Sequence, residues 1–150
     1  MTDILKKFAS LSSKQQKSVY KSALKKAANI LVKEARKELK VHVKHTNTKH
    51  STKSGATYSL SKGVKGNVWK NADGATIHIL GDFRLKFFEK GTKPRYVKRR
   101  KGKLLKKQAF RGNIKATRFF SNSQSVKEKE VFNSLNKYIS DAIIKKFNKW

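Results

Sequence analysis

From Val19 an apolar residue returns at every fourth position, at Ala23, Ala27, Leu31 and Ala35, with Leu24, Ala28 and Ile30 beside that line and lysines opposite it. This spacing places the apolar set on one stripe of an α-helix. Ser12 or Ser13 is positioned to cap the helix, with Gln15 or Gln16 three residues later to bond back in a capping box. The small alanines imply that a neighbouring helix or sheet approaches closely. Upstream, Ile4, Leu5, Phe8 and Leu11 mark a short amphipathic turn or two. At the far end Val131, Leu135, Ile139, Ala142, Ile143 and Phe147 predict a second long amphipathic helix running nearly to Trp150.

Between the helices the period changes. Residues 41–62 are polar and rich in Ser, Thr and His, which reads as a connection. Val64, Gly66 and Val68 then alternate with Lys65, Asn67 and Trp69, and Ile77 and Ile79 share a face. Asp73-Gly74 lies between the two runs and suits a turn with positive φ, so a β-hairpin is predicted here. The segment FRLKFFEKGT fits either a third strand or a short helix, and Pro94 ends it by forcing Lys93 into an extended conformation. A basic loop is expected near 98–107, after which RGNIKATRFF is a candidate edge strand. The order helix, strands, helix predicts one α+β domain over residues 1–150, with a small antiparallel sheet packed against a long N-terminal and a C-terminal helix.

Charge sharpens this picture. The chain has 150 residues, 38 of them Lys or Arg against 9 Asp or Glu, for a formal charge of +29, and only 37% of its residues are hydrophobic. Such an excess repels itself in an isolated compact chain and fits a polyanionic neighbour: nucleic acid, an anionic surface or an acidic partner. There is no apolar run long enough to span a membrane and no secretion signal at the start. The absence of cysteine removes disulfides, thiolate zinc sites and thiol catalysis, and it fits a reducing cytoplasm.

Catalytic patterns are sparse. His42, His45 and His50 are the most metal-like group, but no cysteine joins them and no HExxH spacing occurs, so they read as polar connection residues. Glu34 and Glu38 lie four apart on a lysine-rich helix, where charge balance accounts for them. Asp73 sits in a turn and Glu128 near a helix start. Asp82 and Glu89 flank the ambiguous segment; a metal-dependent nuclease would use such a pair with a basic groove, yet no third ligand accompanies them. No phosphate loop and no GxSxG elbow is present. No metal, cofactor or catalytic residue is therefore expected. The strongest chemical signal is the tract Lys98, Arg99, Arg100, Lys101, Lys103, Lys106 and Lys107, which suits salt-dependent, sequence-blind contact with a phosphate backbone. Tyr96, Phe110, Phe119 and Phe120 nearby are candidates for base stacking, although packing is the commoner use of such residues.

Three segments in order resemble a known family. They are KSGATYSLSKGV (Ser54, Gly55, Ser59), FFEKGTKPR (Glu89, Gly91, Thr92, Arg95) and RGNIKATRFF (Arg111, Gly112, Ala116, Phe119, Phe120), set between two amphipathic helices and around a hairpin. The layout is similar to that of the tail-completion, or head–tail joining, proteins of tailed bacteriophages. Ser54, Tyr58 and Thr117 depart from the usual Thr, Leu and Pro, and Lys98–Lys107 looks like an insertion. The resemblance implies a non-enzymatic virion component at the neck. It would be made in the bacterial host cytoplasm and assemble as a homo-oligomeric ring (hexamer or dodecamer) between portal or adaptor and tail proteins, with double-stranded DNA passing through its channel. On that reading Glu89, Gly91, Thr92, Arg95, Arg111 and Gly112 form a turn and subunit-contact motif. Glu89 would pair with a neighbouring subunit or, within the chain, with Arg95 or Lys93. The basic tract would face DNA. A stand-alone, sequence-nonspecific nucleic-acid-binding protein and a small metal-dependent nuclease are the alternatives.

Overall fold

The computed structural model describes residues 2–44, 46, 50–51, 57–100 and 102–148. A short helix α1 (Thr2–Ala9) precedes the long α2 (Ser13–His42). The capping box predicted for α2 is made by Ser12 and Gln15: the Ser12 N–H donates to Gln15 Oε1 at 2.9 Å and the Gln15 N–H to Ser12 Oγ at 3.4 Å. The buried stripe of α2 is Val19, Ala23, Ala27, Ala28, Leu31, Val32, Ala35 and Leu39. The last helix, α4, spans Phe119–Phe147. Ser18, Val19 and Lys26 of α2 lie beside Ala142, Lys145 and Tyr138 of α4, while Glu34 and Glu38 lie beside Asn122 and Val126, so the two helices run antiparallel. The small residues of the α2 stripe permit the contact, as expected.

The α+β class holds, but the strands form three separate two-stranded antiparallel ribbons among the described residues, not one small sheet. Two bridges join β1 (His50–Ser51) to β2 (Thr57–Tyr58) within the polar connection, and a 3₁₀ turn follows at Leu60–Gly63. The predicted hairpin is β3 (Lys65–Val68) with β4 (Ala75–His78), in the register Lys65↔His78 to Val68↔Ala75. Its turn differs from the prediction in detail, because the positive φ falls on Ala72 (67°) and not on Asp73 or Gly74. Gly74 lies against the Trp69 ring, where a Cβ would make ordinary contact at 3.4 Å, and the Trp69 Nε1–H donates to Thr76 Oγ1 at 2.8 Å. Gly66 faces α2, with Ala28 and Val32 each 3.4 Å from where its Cβ would be, so helix and hairpin meet through small residues.

FRLKFFEK resolves as helix α3 (Arg84–Lys90). Asp82, its side chain almost fully buried, fixes the start by accepting from the Arg84 N–H at 3.0 Å and pairing with the Arg84 guanidinium at 2.6 Å. Gly91, at φ 75°, fixes the end, and its N–H donates to Phe87 O at 2.8 Å. Leu85 and Glu89 are buried, whereas Phe83, Lys86, Phe87 and Lys90 face solvent. The main core joins Val32, Ala35, Leu39, Leu60, Val64, Leu85 and Phe119, with Ile77, Ile79, Phe88 and Phe120 packed against it. Residues 111–118 make no strand, contrary to the edge strand expected for RGNIKATRFF, and Phe119-Phe120 instead open α4.

Candidate nucleic-acid interface

The basic tract is not a loop. It folds as a third hairpin, β5 (Tyr96–Arg100) with β6 (Lys103–Phe110). Only Lys101 and Gly102 connect the strands, and Gly102 supplies the positive φ (79°) that so tight a connection requires. Arg99 pairs with Leu104 and Arg100 with Lys103 near the tip, and Tyr96 pairs with Phe110 at the base. Between these the register slips, so that Leu105 to Gln108 stand opposite Lys98 alone. Lys106 and Lys107 thus lie in an irregular bulge. The Tyr96 and Phe110 rings pack together at a centroid distance of 5.5 Å, a cross-strand aromatic pair that holds the base closed.

The hairpin contributes nothing to the core. Val97 and Leu105 are half-covered, while Lys98, Arg99, Lys103, Lys106 and Lys107 are exposed, as is Leu104. Arg100 lies in β5; its side chain, like Lys101, is outside the described residues. No acid occurs anywhere from Lys90 to Arg118, and none of the ion pairs among the described residues involves a hairpin cation. Like charges on adjoining strands repel, and an anionic ligand laid along the ribbon would relieve that repulsion.

The other candidate residues form the base from which this arm projects. Beyond the last strand pair the backbone ladder continues: the Arg111 N–H donates to Arg95 O at 2.7 Å and the Arg95 N–H to Gly112 O at 3.2 Å. Gly112, at φ 80°, then turns the returning chain. Further down, the Thr92 N–H donates to Ile114 O and the Ile114 N–H to Thr92 Oγ1, both at 2.9 Å. The Thr117 N–H and Oγ1–H both donate to Phe88 O, at 2.8 and 2.9 Å, and the Arg118 N–H to Glu89 O at 3.3 Å. The EKGT and RGNIKATRFF segments are therefore laced together within one chain. Gly91 is essential to the fit, because a Cβ there would come within 2.9 Å of the Ala116 nitrogen.

Glu89 has a different role from either pairing expected of it. It lies in α3, not in a turn, and its carboxylate is directed at neither Arg95 nor Lys93. Buried at 9% exposure, it accepts from the Phe120 N–H at 2.9 Å, the Ser121 N–H at 3.2 Å and the Ser121 hydroxyl. It thereby caps α4 from another helix. Arg118, the residue before α4, sits at φ 50° and offers no side-chain cap, so the first turn depends on this distant carboxylate. The sequence pattern shows neither this start, nine residues before the Glu128 expected near it, nor the cap supplied from 31 residues away.

The remaining candidates separate. Asp82 and Glu89 each serve a different helix start and do not form a shared carboxylate site. His42 lies 3.9 Å from Glu38, His45 falls outside the described residues, and His50 is in β1. Among the described residues no group of three or more His, Cys, Asp or Glu is placed to hold a metal. Of the aromatic residues, Phe119 is fully buried and Phe120 packs on the core, which leaves Tyr96 and Phe110 exposed beside the cations. No helix among the described residues is long and apolar enough to cross a membrane. No protein-family model, curated protein or solved structure matches the chain.

Proposed function

We propose that this chain is a structural virion protein of a tailed bacteriophage, a head–tail joining subunit that assembles as a ring at the neck, with its basic hairpin turned toward double-stranded DNA. One observation carries the reading. Two of the three segments that carry the family resemblance are laced together by backbone bonds into one base, and from that base rises an arm with seven cations and no acid. Such an arm grips a phosphate backbone by displacing condensed counterions, without reading bases. Repeated around a ring, it would surround a passing duplex with a cationic lining that tolerates any sequence and permits sliding. Portal or adaptor proteins on one side and tail proteins on the other are the partners this role requires. The chain acts by binding and needs neither a cofactor nor a catalytic group.

The stand-alone nucleic-acid binder is the second reading, favoured by the exposure of Lys98, Arg99, Lys103, Lys106 and Lys107 on a single copy of the chain. The two separate in one set of measurements. A neck subunit forms annuli in negative-stain images, alone or once mixed with portal or tail proteins, and leaves DNA intact in magnesium. A stand-alone binder stays monomeric in every mixture yet shifts DNA with a steep salt dependence. A protein that is monomeric throughout and indifferent to DNA at low ionic strength would overturn both readings.

A further inference from the structure

At the foot of the hairpin, where the two laced segments meet, lies a shallow open cavity of about 450 Å³. We infer that it is a cradle for a phosphate group, separate from the hairpin and formed by Lys90, Lys93 and Lys115 around the backbone of Gly91, Thr92 and Ala116. Three features support this. The cavity has three lysines in its lining and no acid, and the nearest carboxylate in sequence, Glu89, is turned away to cap α4. Its backbone is fixed by the Thr92–Ile114 bonds and by the positive φ of Gly91, so the donors are held before a ligand arrives. Finally, the N–H groups of Lys93, Lys115 and Ala116 donate to no group among the described residues, and the space that a Cβ on Gly91 would fill lies 2.9 Å from the Ala116 nitrogen and 3.0 Å from the Ile114 carbonyl oxygen, which the Thr92 N–H already engages.

An anion held by oriented backbone N–H groups and several ammonium groups is recognised by charge and shape together. The hairpin, whose cations lie on exposed strands, supplies charge alone. The cradle would therefore fix one phosphate at a defined point while the arm follows the rest of a duplex. It does not rest on ring formation, because every lining residue comes from one chain.

The test is an amide NMR titration of the full chain with inorganic pyrophosphate at low ionic strength. Saturable shifts are expected at Gly91, Thr92, Lys115 and Ala116, with those of the lysine-rich start of α2 barely moved. Lys93→Gln with Lys115→Gln should weaken binding about tenfold, as expected when charge-assisted hydrogen bonds are removed. The charge-matched pair Lys14→Gln with Lys17→Gln should leave it within about twofold, the small change expected when exposed charges alone are removed. If both pairs weaken binding alike, or the shifts spread evenly over the lysines, the cradle is refuted. A short duplex then identifies the source of the phosphate. A salt slope smaller by about one for each lysine–phosphate pair removed in the cradle variant assigns the site to a nucleic-acid backbone. An unchanged slope in a cradle variant whose pyrophosphate binding is weakened as expected assigns the site to free phosphate.

Discussion

Removing the Glu89 carboxylate tests whether this residue holds the fold or holds a neighbour. Three donors converge on it: the N–H groups of Phe120 and Ser121 and the Ser121 hydroxyl. Losing an N-terminal cap costs about 1–2 kcal/mol, and losing a negative charge at a helix start adds about 0.5–1 kcal/mol. Ser121 is exposed, so water can satisfy part of the deficit, and no further penalty for a buried orphan donor is added. Glu89→Ala should therefore cost about 1.5–3 kcal/mol. Glu89→Gln, which keeps an acceptor but loses the charge, should cost about 1 kcal/mol.

At this chain length about 2–4 °C of Tm accompanies each kcal/mol, so Glu89→Ala should melt about 3–12 °C lower. Urea unfolding followed by far-ultraviolet circular dichroism measures both variants. Ser121→Ala should be strongly non-additive with Glu89→Ala, since both delete the same hydroxyl–carboxylate bond. If Glu89 instead bonds a neighbouring subunit, the isolated variant keeps its stability and only assembly fails. A Glu89→Ala protein within about 0.5 kcal/mol of the parent would refute the capping argument.

Gly91→Ala should destabilise by about 2–3 kcal/mol, from the left-handed φ and the 2.9 Å approach to the Ala116 nitrogen. Gly91→Val should cost more and abolish annuli in negative stain. Gly63→Ala should cost about 2–4 kcal/mol in the same unfolding assay, because its Cβ would fall 2.6 Å from Leu85 Cδ1 and 2.7 Å from Asp82 Cβ, with the Asp82 nitrogen close behind. Replacing Lys98, Arg99, Lys103, Lys106 and Lys107 together by Gln should change stability by no more than about 0.5 kcal/mol. The same variant should flatten the dependence of DNA affinity on salt by about 0.9 for each phosphate no longer neutralised, measured by fluorescence anisotropy.

Local patterns in the sequence predict local structure here, and the tertiary contacts decide the remainder. The α2 stripe and its capping box are short-range features, readable from spacing alone, as is the β3–β4 alternation. Lys98–Lys107 conceals a hairpin because strand signals rest on alternating apolar residues, and here cations fill the positions. What closes the ribbon is one aromatic pair at its base and one glycine at its tip. Helix α3 is seven residues long, too short for its period to distinguish it from a strand; Asp82 and Gly91 decide its limits. The start of α4 is hidden by the polar run SNSQSVKEKE, and its cap comes from a residue far away in the chain. Of the candidate motif residues, Gly91, Thr92, Arg95, Arg111 and Gly112 do share one region, but they are joined there through backbone bonds within one chain.

That arrangement changes what the charge of +29 requires. A compact chain so charged is costly if folding brings the cations together from distant parts of the sequence. In the hairpin they are sequence neighbours already, within ten positions, and they repel one another almost as strongly in the unfolded chain. Folding the ribbon adds the cross-strand share of that repulsion and little else, and no core residue depends on the ribbon's position. Those seven cations are thus carried on an appendage whose charge is nearly decoupled from the stability of the body, while the other 31 of the chain's 38 Lys and Arg lie outside it. An anionic ligand on the hairpin is then needed for function and not for folding, so salt should weaken DNA binding steeply, while neutralising the hairpin should leave the salt dependence of the free protein's unfolding midpoint almost unchanged. A neutralised variant whose midpoint responded to salt far less than the parent's would show that the arm and the body are coupled after all.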